Sequence, residues 1–172
     1  LGGGGKSLKG AVGGGLMALL GAMALKALKE SGQPNRQVPV GLLEPQTDTE
    51  KKELEQSSEL ILKAMMNAIK SDGQVDQNEL DRFTSKFQEL GVDGETQDYF
   101  INQLRQPMET ETLVMAAQGQ PQLAAQIYAA SLLAIEVDTL EERDYLNKLA
   151  ADMGLSPQVT GRIHEMVGLQ PA

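Results

Sequence analysis

One short acidic hinge is written twice in this chain. "AIKSDGQVDQNELDRF" fills residues 68–83, and "AIEVDTLEERDYL" fills residues 134–146. Aligned on Val75 and Val137, the copies give Asp76-Gln77-Asn78-Glu79 and Asp138-Thr139-Leu140-Glu141. The pattern D-x-x-E is a helix-start signal. An N-cap aspartate accepts from the amide three residues on, and the glutamate reaches back to the cap's own amide. In each copy an apolar helix precedes the hinge and an amphipathic one follows. These run to "ELGV" and "DMGL", with Gly91 and Gly154 where a helix turns left-handed to stop. The repeat therefore predicts two helical hairpins folded into one globule.

The residue palette agrees. At 172 residues the chain suits one well-buried domain plus an appendage. Aromatics are 3% of it against 41% hydrophobic residues, so the core must be Leu, Ile, Val, Met and Ala, which favour close-packed helices over sheets. Leu54, Ile61, Met65 and Ala68 share a face of a helix from about Thr49 to Ser71. Leu80, Phe83, Phe87 and Leu90 mark a second from about Asp76, and Phe100, Ile101 and Leu104 a shorter one over 97–106. "LAAQIYAASLLAI", opened by Pro121, is apolar on most faces and belongs at the centre. Leu146, Leu149 and Met153 face inward from a helix starting near Asp138. Ser156 and Pro157 open a last one carrying Val159, Ile163 and Met166. The expected fold is an all-α bundle of about six or seven helices with two pseudo-repeated hairpins, plus an N-terminal Gly-rich helix.

Three segments follow from composition: a Gly-rich apolar head over 1–29, a linker over 30–48 and a helical domain over 49–172. From Gly10 to Leu25 the head carries no charge, and Lys6, Lys9, Lys26 and Lys29 bracket it. Sixteen residues of helix span roughly 24 Å against a hydrocarbon core of about 30 Å. Snorkelling lysines and Ala27 and Leu28 narrow the gap. Gly10, Gly14, Ala18 and Ala22 recur every four residues, the spacing that lets helices approach closely in lipid. The head is thus expected to meet membrane lipid through residues 10–28, at a bacterial inner membrane with the side of the domain left open. Two other readings remain: a loosely ordered or partner-bound segment, because its glycines disfavour helix, and a cleaved leader. Pro34, Pro39 and Pro45 in the linker are expected to separate head and domain mechanically.

Charge narrows the partners. The net charge is −9, but residues 1–46 carry +3 and the remainder −12. An acidic body argues against nucleic acid, whose affinity comes mainly from cations on phosphates. The absence of Cys removes thiol chemistry and sulfur metal sites. No enzyme is expected. His164, the one histidine, reads as a boundary residue, and the "GGGGKS" around Ser7 lacks the spacing and the preceding strand of a phosphate loop. The leading expectation is a non-enzymatic, membrane-associated binding or scaffold module that meets an unidentified protein partner, with Met residues offering an adaptable surface, and the alternative is a divalent-cation sensor or carrier.

The hinge acids are the candidate chemistry. With Gly73 at the glycine of a calcium loop, Asp72, Asp76 and Glu79 fall at ligand positions, but Ala68 and Lys70 fall at two others, and the second copy has no such glycine. An ordinary EF-hand is not expected. If the two hinges pack together, Asp72, Asp76, Glu79, Asp138, Glu141 and Glu142 could assemble one oxygen site for a divalent cation such as Ca, Mg, Mn or Zn. The bland alternative leaves these acids solvated on helix N-terminal dipoles.

"AIKSDGQVDQNELDRF", the echo "LLAIEVDTLEERDYLNKLAADMGLSP" and the glycine-rich head together resemble the YebE-like inner-membrane proteins of the tellurite-resistance TerB-like helical superfamily, over about residues 49–169. The resemblance implies an all-α fold with internal pseudo-symmetry, envelope association, and a link to metal or stress responses through acids at the hairpins. Asp72 and Glu79 match its first signature; Asp138, Glu141 and Glu142 match only loosely.

Overall fold

The structure, a computed structural model, describes residues 15–32, 38–73, 75–89 and 91–168. Eight helices account for most of them: α1 (Met17–Glu30), α2 (Asp48–Ile69), α3 (Gln77–Glu89), α4 (Gly94–Gln103), α5 (Thr110–Ala117), α6 (Pro121–Ala134), α7 (Leu140–Asp152) and α8 (Pro157–Val167). No strand occurs among the described residues, and the fold is all-α.

Local chemistry sets the helix starts. Thr47 opens α2: its hydroxyl accepts from the Glu50 amide at 3.1 Å, while Glu50 Oε2 accepts from the Thr47 amide at 3.1 Å. Asp93 opens α4 by accepting from the Thr96 amide at 2.8 Å, three residues before the first apolar position. Ser156 and Pro157 open α8 as expected. The short α5 was not legible from periodicity, because an eight-residue helix with only Leu113 and Ala117 buried shows too little of its repeat.

The core sits around α6, which packs against α1, α2, α5, α7 and α8. It buries nearly its whole length, and Ala124, Ala125, Ala129, Ala130 and Ala134 give its neighbours room to approach closely. Two of its polar side chains donate to backbone carbonyls, one distant in sequence and one within the helix. Gln126 Nε2 donates to the Val40 carbonyl at 2.9 Å, and Ser131 Oγ donates to the Ile127 carbonyl at 2.8 Å.

The head and linker differ from expectation. Residues 17–28 lie in the core: α1 sits on α6 and α8 and buries Met17, Leu20, Met23, Ala24, Ala27 and Leu28. Its outward face carries Ala22 and Leu19, with Ala18 half-buried at its border. Gly10 and Gly14 lie outside the described residues. No helix among the described residues is long and apolar enough to cross a membrane. Nor does the linker stand clear of the body. Pro39 is buried, and Gly41 (φ +93°) comes so near α1 that a Cβ there would lie 2.6 Å from Met17 Cβ. The helix ends at Ser31, followed by left-handed Gly32, and the described part of the linker folds back over α1 because Gly41 supplies both the turn and the clearance.

The hairpin of α3 and α4 is built differently. Phe83, Phe87 and Phe100 form its interior, with centroids 4.4 Å apart for Phe83–Phe87 and 4.9 Å for the stacked Phe87–Phe100 pair. All three of the chain's Phe residues are used here. Neither α3 nor α4 shares an extended backbone interface with the central helices, so long side chains hold the hairpin in place.

Candidate cation site

The repeated hinge produces two capping boxes, one residue out of the expected register with each other. In the first copy Asp76 Oδ1 accepts from the Glu79 amide at 2.9 Å, and Glu79 Oε2 accepts from the Asp76 amide at 3.0 Å. In the second copy the cap is Thr139, not Asp138. Its hydroxyl accepts from the Glu142 amide at 3.1 Å, and Glu142 Oε2 accepts from the Thr139 amide at 3.0 Å and from the Asp138 amide at 3.1 Å. The partner is therefore Glu142, and Glu141 is exposed. Burial decides the register: Glu142 lies one helical turn before inward-facing Leu146, whereas position 141 points to solvent. Val75 and Val137, one and two residues before the caps, are both half-buried against the core.

The two hinges are neighbours. Asp72, from the turn after α2, Glu79 on α3 and Glu142 on α7 each offer a carboxylate oxygen, and these three atoms lie within 4.8 Å of one another. Glu79 is 7% exposed and Glu142 2%. Of the six acids expected to meet, these three do. Asp76, Asp138 and Glu141 are exposed and lie outside this trio, although Asp76 stays beside Glu79 through the capping box.

Three ionised carboxylates at this spacing repel by about 3 kcal/mol per pair at an effective dielectric of ~20. Burial pushes the Glu79 carboxyl above the ordinary glutamate value; the Asp76 amide opposes that shift, and the carboxylates of Asp72, Asp76 and Glu142 add to it. Arg82, one turn on, has its guanidinium 3.5 Å from Glu136 Oε2. A carboxyl whose pKa rises on folding stabilises the fold below the unfolded value of 4.5, and that contribution is lost as pH climbs through the folded value. Without cations, melting temperature measured from pH 4 to pH 7 is thus expected to fall more steeply in the wild type than in Glu79→Gln. Parallel profiles would remove the repulsion from the account.

The donor set suits a hard cation. Metal–oxygen bonds of about 2.3–2.6 Å put two ligands of one Ca²⁺ at most about 5 Å apart, which the 4.8 Å spread meets. All three donors are carboxylate oxygens, which favours Ca²⁺, Mg²⁺ or Mn²⁺ over Zn²⁺. The hydrogen bonds to both glutamates fall on Oε2, so the caps do not require the other oxygen.

The second polar contact in the core is a different kind of group. Tyr128 Oη on α6 lies 2.7 Å from His164 Nε2 on α8. Burial raises the phenol to about 12 and lowers the imidazole. His164 is half-buried, the boundary residue the sequence suggested, and a phenol at about 12 is a poor acid near neutrality. Sequence reading missed the pairing, since the two residues are 36 positions apart.

Two capped helix starts, from hinges dozens of residues apart in sequence, share a buried carboxylate cluster within an all-helical fold. The chain belongs to the family described as protein of unknown function DUF533, which it matches over residues 1–167. No curated protein and no solved structure matches it.

Proposed function

We propose that this protein is a non-enzymatic helical module that binds one divalent cation between its two hairpins. One observation carries the reading: glutamates from two copies of the same hinge, on helices distant in sequence, converge with Asp72 in a buried cluster. The resemblance to YebE-like proteins of the TerB-like superfamily, linked to metal and stress responses, supports it. Calorimetric titration of the full chain with Ca²⁺, Mg²⁺, Mn²⁺ and Zn²⁺ tests it. One equivalent of a hard cation is expected to bind the wild type, with binding lost in Asp72→Asn and Glu79→Gln. Absence of binding heat and of any thermal shift with all four ions rejects it.

A second reading concerns where the module works. The outward face of α1 leaves Leu19 51% exposed beside Lys26 and Lys29, and the linker along it leaves Leu43 70% exposed. An apolar face with lysines on an otherwise acidic protein suits peripheral contact with an anionic lipid surface such as the bacterial inner membrane. Co-sedimentation with vesicles containing phosphatidylglycerol is expected for the wild type and not for Leu19→Glu. Equal sedimentation of both, or none of either, counts against it.

A further inference from the structure

We propose that the Tyr128–His164 contact is an acid-sensitive lock between α6 and α8, closed while the imidazole is neutral and disfavoured once it takes a second proton. It uses none of the carboxylates of the cation cluster, and it stands whether or not a cation binds.

The geometry of the pair shows why a second proton is unwelcome. Tyr128 Oη and His164 Nε2 are 2.7 Å apart across the interface, and Tyr128 is 2% exposed. A phenol protonated up to about 12 keeps its hydrogen near neutrality, so its O–H donates and Nε2 accepts. The ring proton then sits on Nδ1, which is buried and has no hydrogen-bond partner. A second proton must go on Nε2. The Tyr128 hydroxyl then has to turn and accept, its own hydrogen loses its acceptor, and Nδ1–H stays unpartnered on a buried positive charge.

Among the described residues no carboxylate is left to offset that charge. α8 packs on α6 and α1. From Pro121 to Ala134, α6 carries no charged residue. Lys26, Lys29 and Glu30 come from α1, and Arg162 and Glu165 from α8 itself. Arg162 already holds both carboxylates, Glu30 at 3.3 Å and Glu165 at 2.9 Å. The two lysines can only repel an imidazolium. Burial accordingly lowers the His164 pKa below its ordinary 6.5.

A histidine whose pKa falls on folding leaves the fold at full stability above the unfolded value of 6.5, and that stability is lost as pH drops from there towards the folded value. Within that interval the folding constant falls by up to about ten-fold per pH unit, the limit for one proton.

The chain has one histidine, so its imidazole signals in NMR need no assignment. Titration of the full wild-type chain is expected to give a midpoint below 6.5. A midpoint at or above that value overturns the lock. Urea unfolding between pH 5 and pH 8 supplies a second readout. Glutamine at 164 keeps a polar group beside the phenol and does not titrate. His164→Gln should therefore lose less stability than the wild type between pH 6.5 and pH 5, by up to about ten-fold in folding constant per pH unit. The Glu79 carboxyl acts in the opposite direction and equally in both proteins, so the difference between the two profiles isolates His164. Parallel profiles overturn the proposal. If His164→Gln does not fold, the wild-type midpoint decides alone.

Discussion

Ca²⁺ or Mn²⁺ at a hundred-fold excess over Kd is expected to raise the melting temperature of the full chain by roughly 5–10 °C. Ligand binding to the folded state alone contributes about 2.7 kcal/mol at that excess. For a chain of this size each kcal/mol moves the midpoint by about 2–4 °C. Glu79→Gln and Glu142→Gln should lose the shift while remaining folded, because a glutamine amide oxygen can still accept the cap's backbone N–H. Both variants should also melt above the cation-free wild type at neutral pH, having lost a buried like-charge contact. Differential scanning calorimetry reads all three species. A wild type that gains nothing over that range, or variants that keep the gain, would place the cation elsewhere or nowhere.

The second large effect concerns the N-terminal helix. Residues 48–172 produced alone are expected to lack a cooperative thermal transition and to bind a hydrophobic dye. In the full chain α1 buries Met17, Leu20, Met23 and Leu28 almost completely against α6 and α8. At about 1.5–3 kcal/mol for each such side chain the contribution is roughly 6–12 kcal/mol, comparable with the entire stability of a domain, about 5–15 kcal/mol. The same truncation removes the linker and with it the Val40 carbonyl that accepts from Gln126, a fully buried amide. A sharp melt for residues 48–172, within a few degrees of the full chain, would show that α1 is an ornament on a self-sufficient bundle.

Both expectations turn on side chains whose local roles were readable and whose partners were not. Asp76 with Glu79, Ser156 with Pro157 and the stops at Gly91 and Gly154 follow from chemistry within four residues, and the structure has them where the spelling puts them. The second cap was misread by one position. "DTLEE" contains both D-x-x-E and T-x-x-E, and only the packing of Leu146 says which glutamate turns inward. That signal was present in the spacing: Glu142 stands four residues before Leu146 and seven before Leu149, on the same buried stripe.

The head shows the opposite case. An uncharged run such as 10–25 is consistent with a lipid environment and equally with a protein core, because both reward apolar surface on every side. Which one receives it depends on whether another element offers a complementary groove. Here the alanines of α6 and the clearance at Gly41 provide it for residues 17–28.

The amino-acid order by itself determined that this chain is helical, where most helices begin and end, and that one capped acidic hinge is used twice, because caps, turns and periodicity act over a few residues. The tertiary structure alone decided that α1 belongs to the core and that Asp72, Glu79 and Glu142, rather than all six hinge acids, come together. Those outcomes depend on contacts between segments dozens of residues apart, whose energies arise only once the helices have packed.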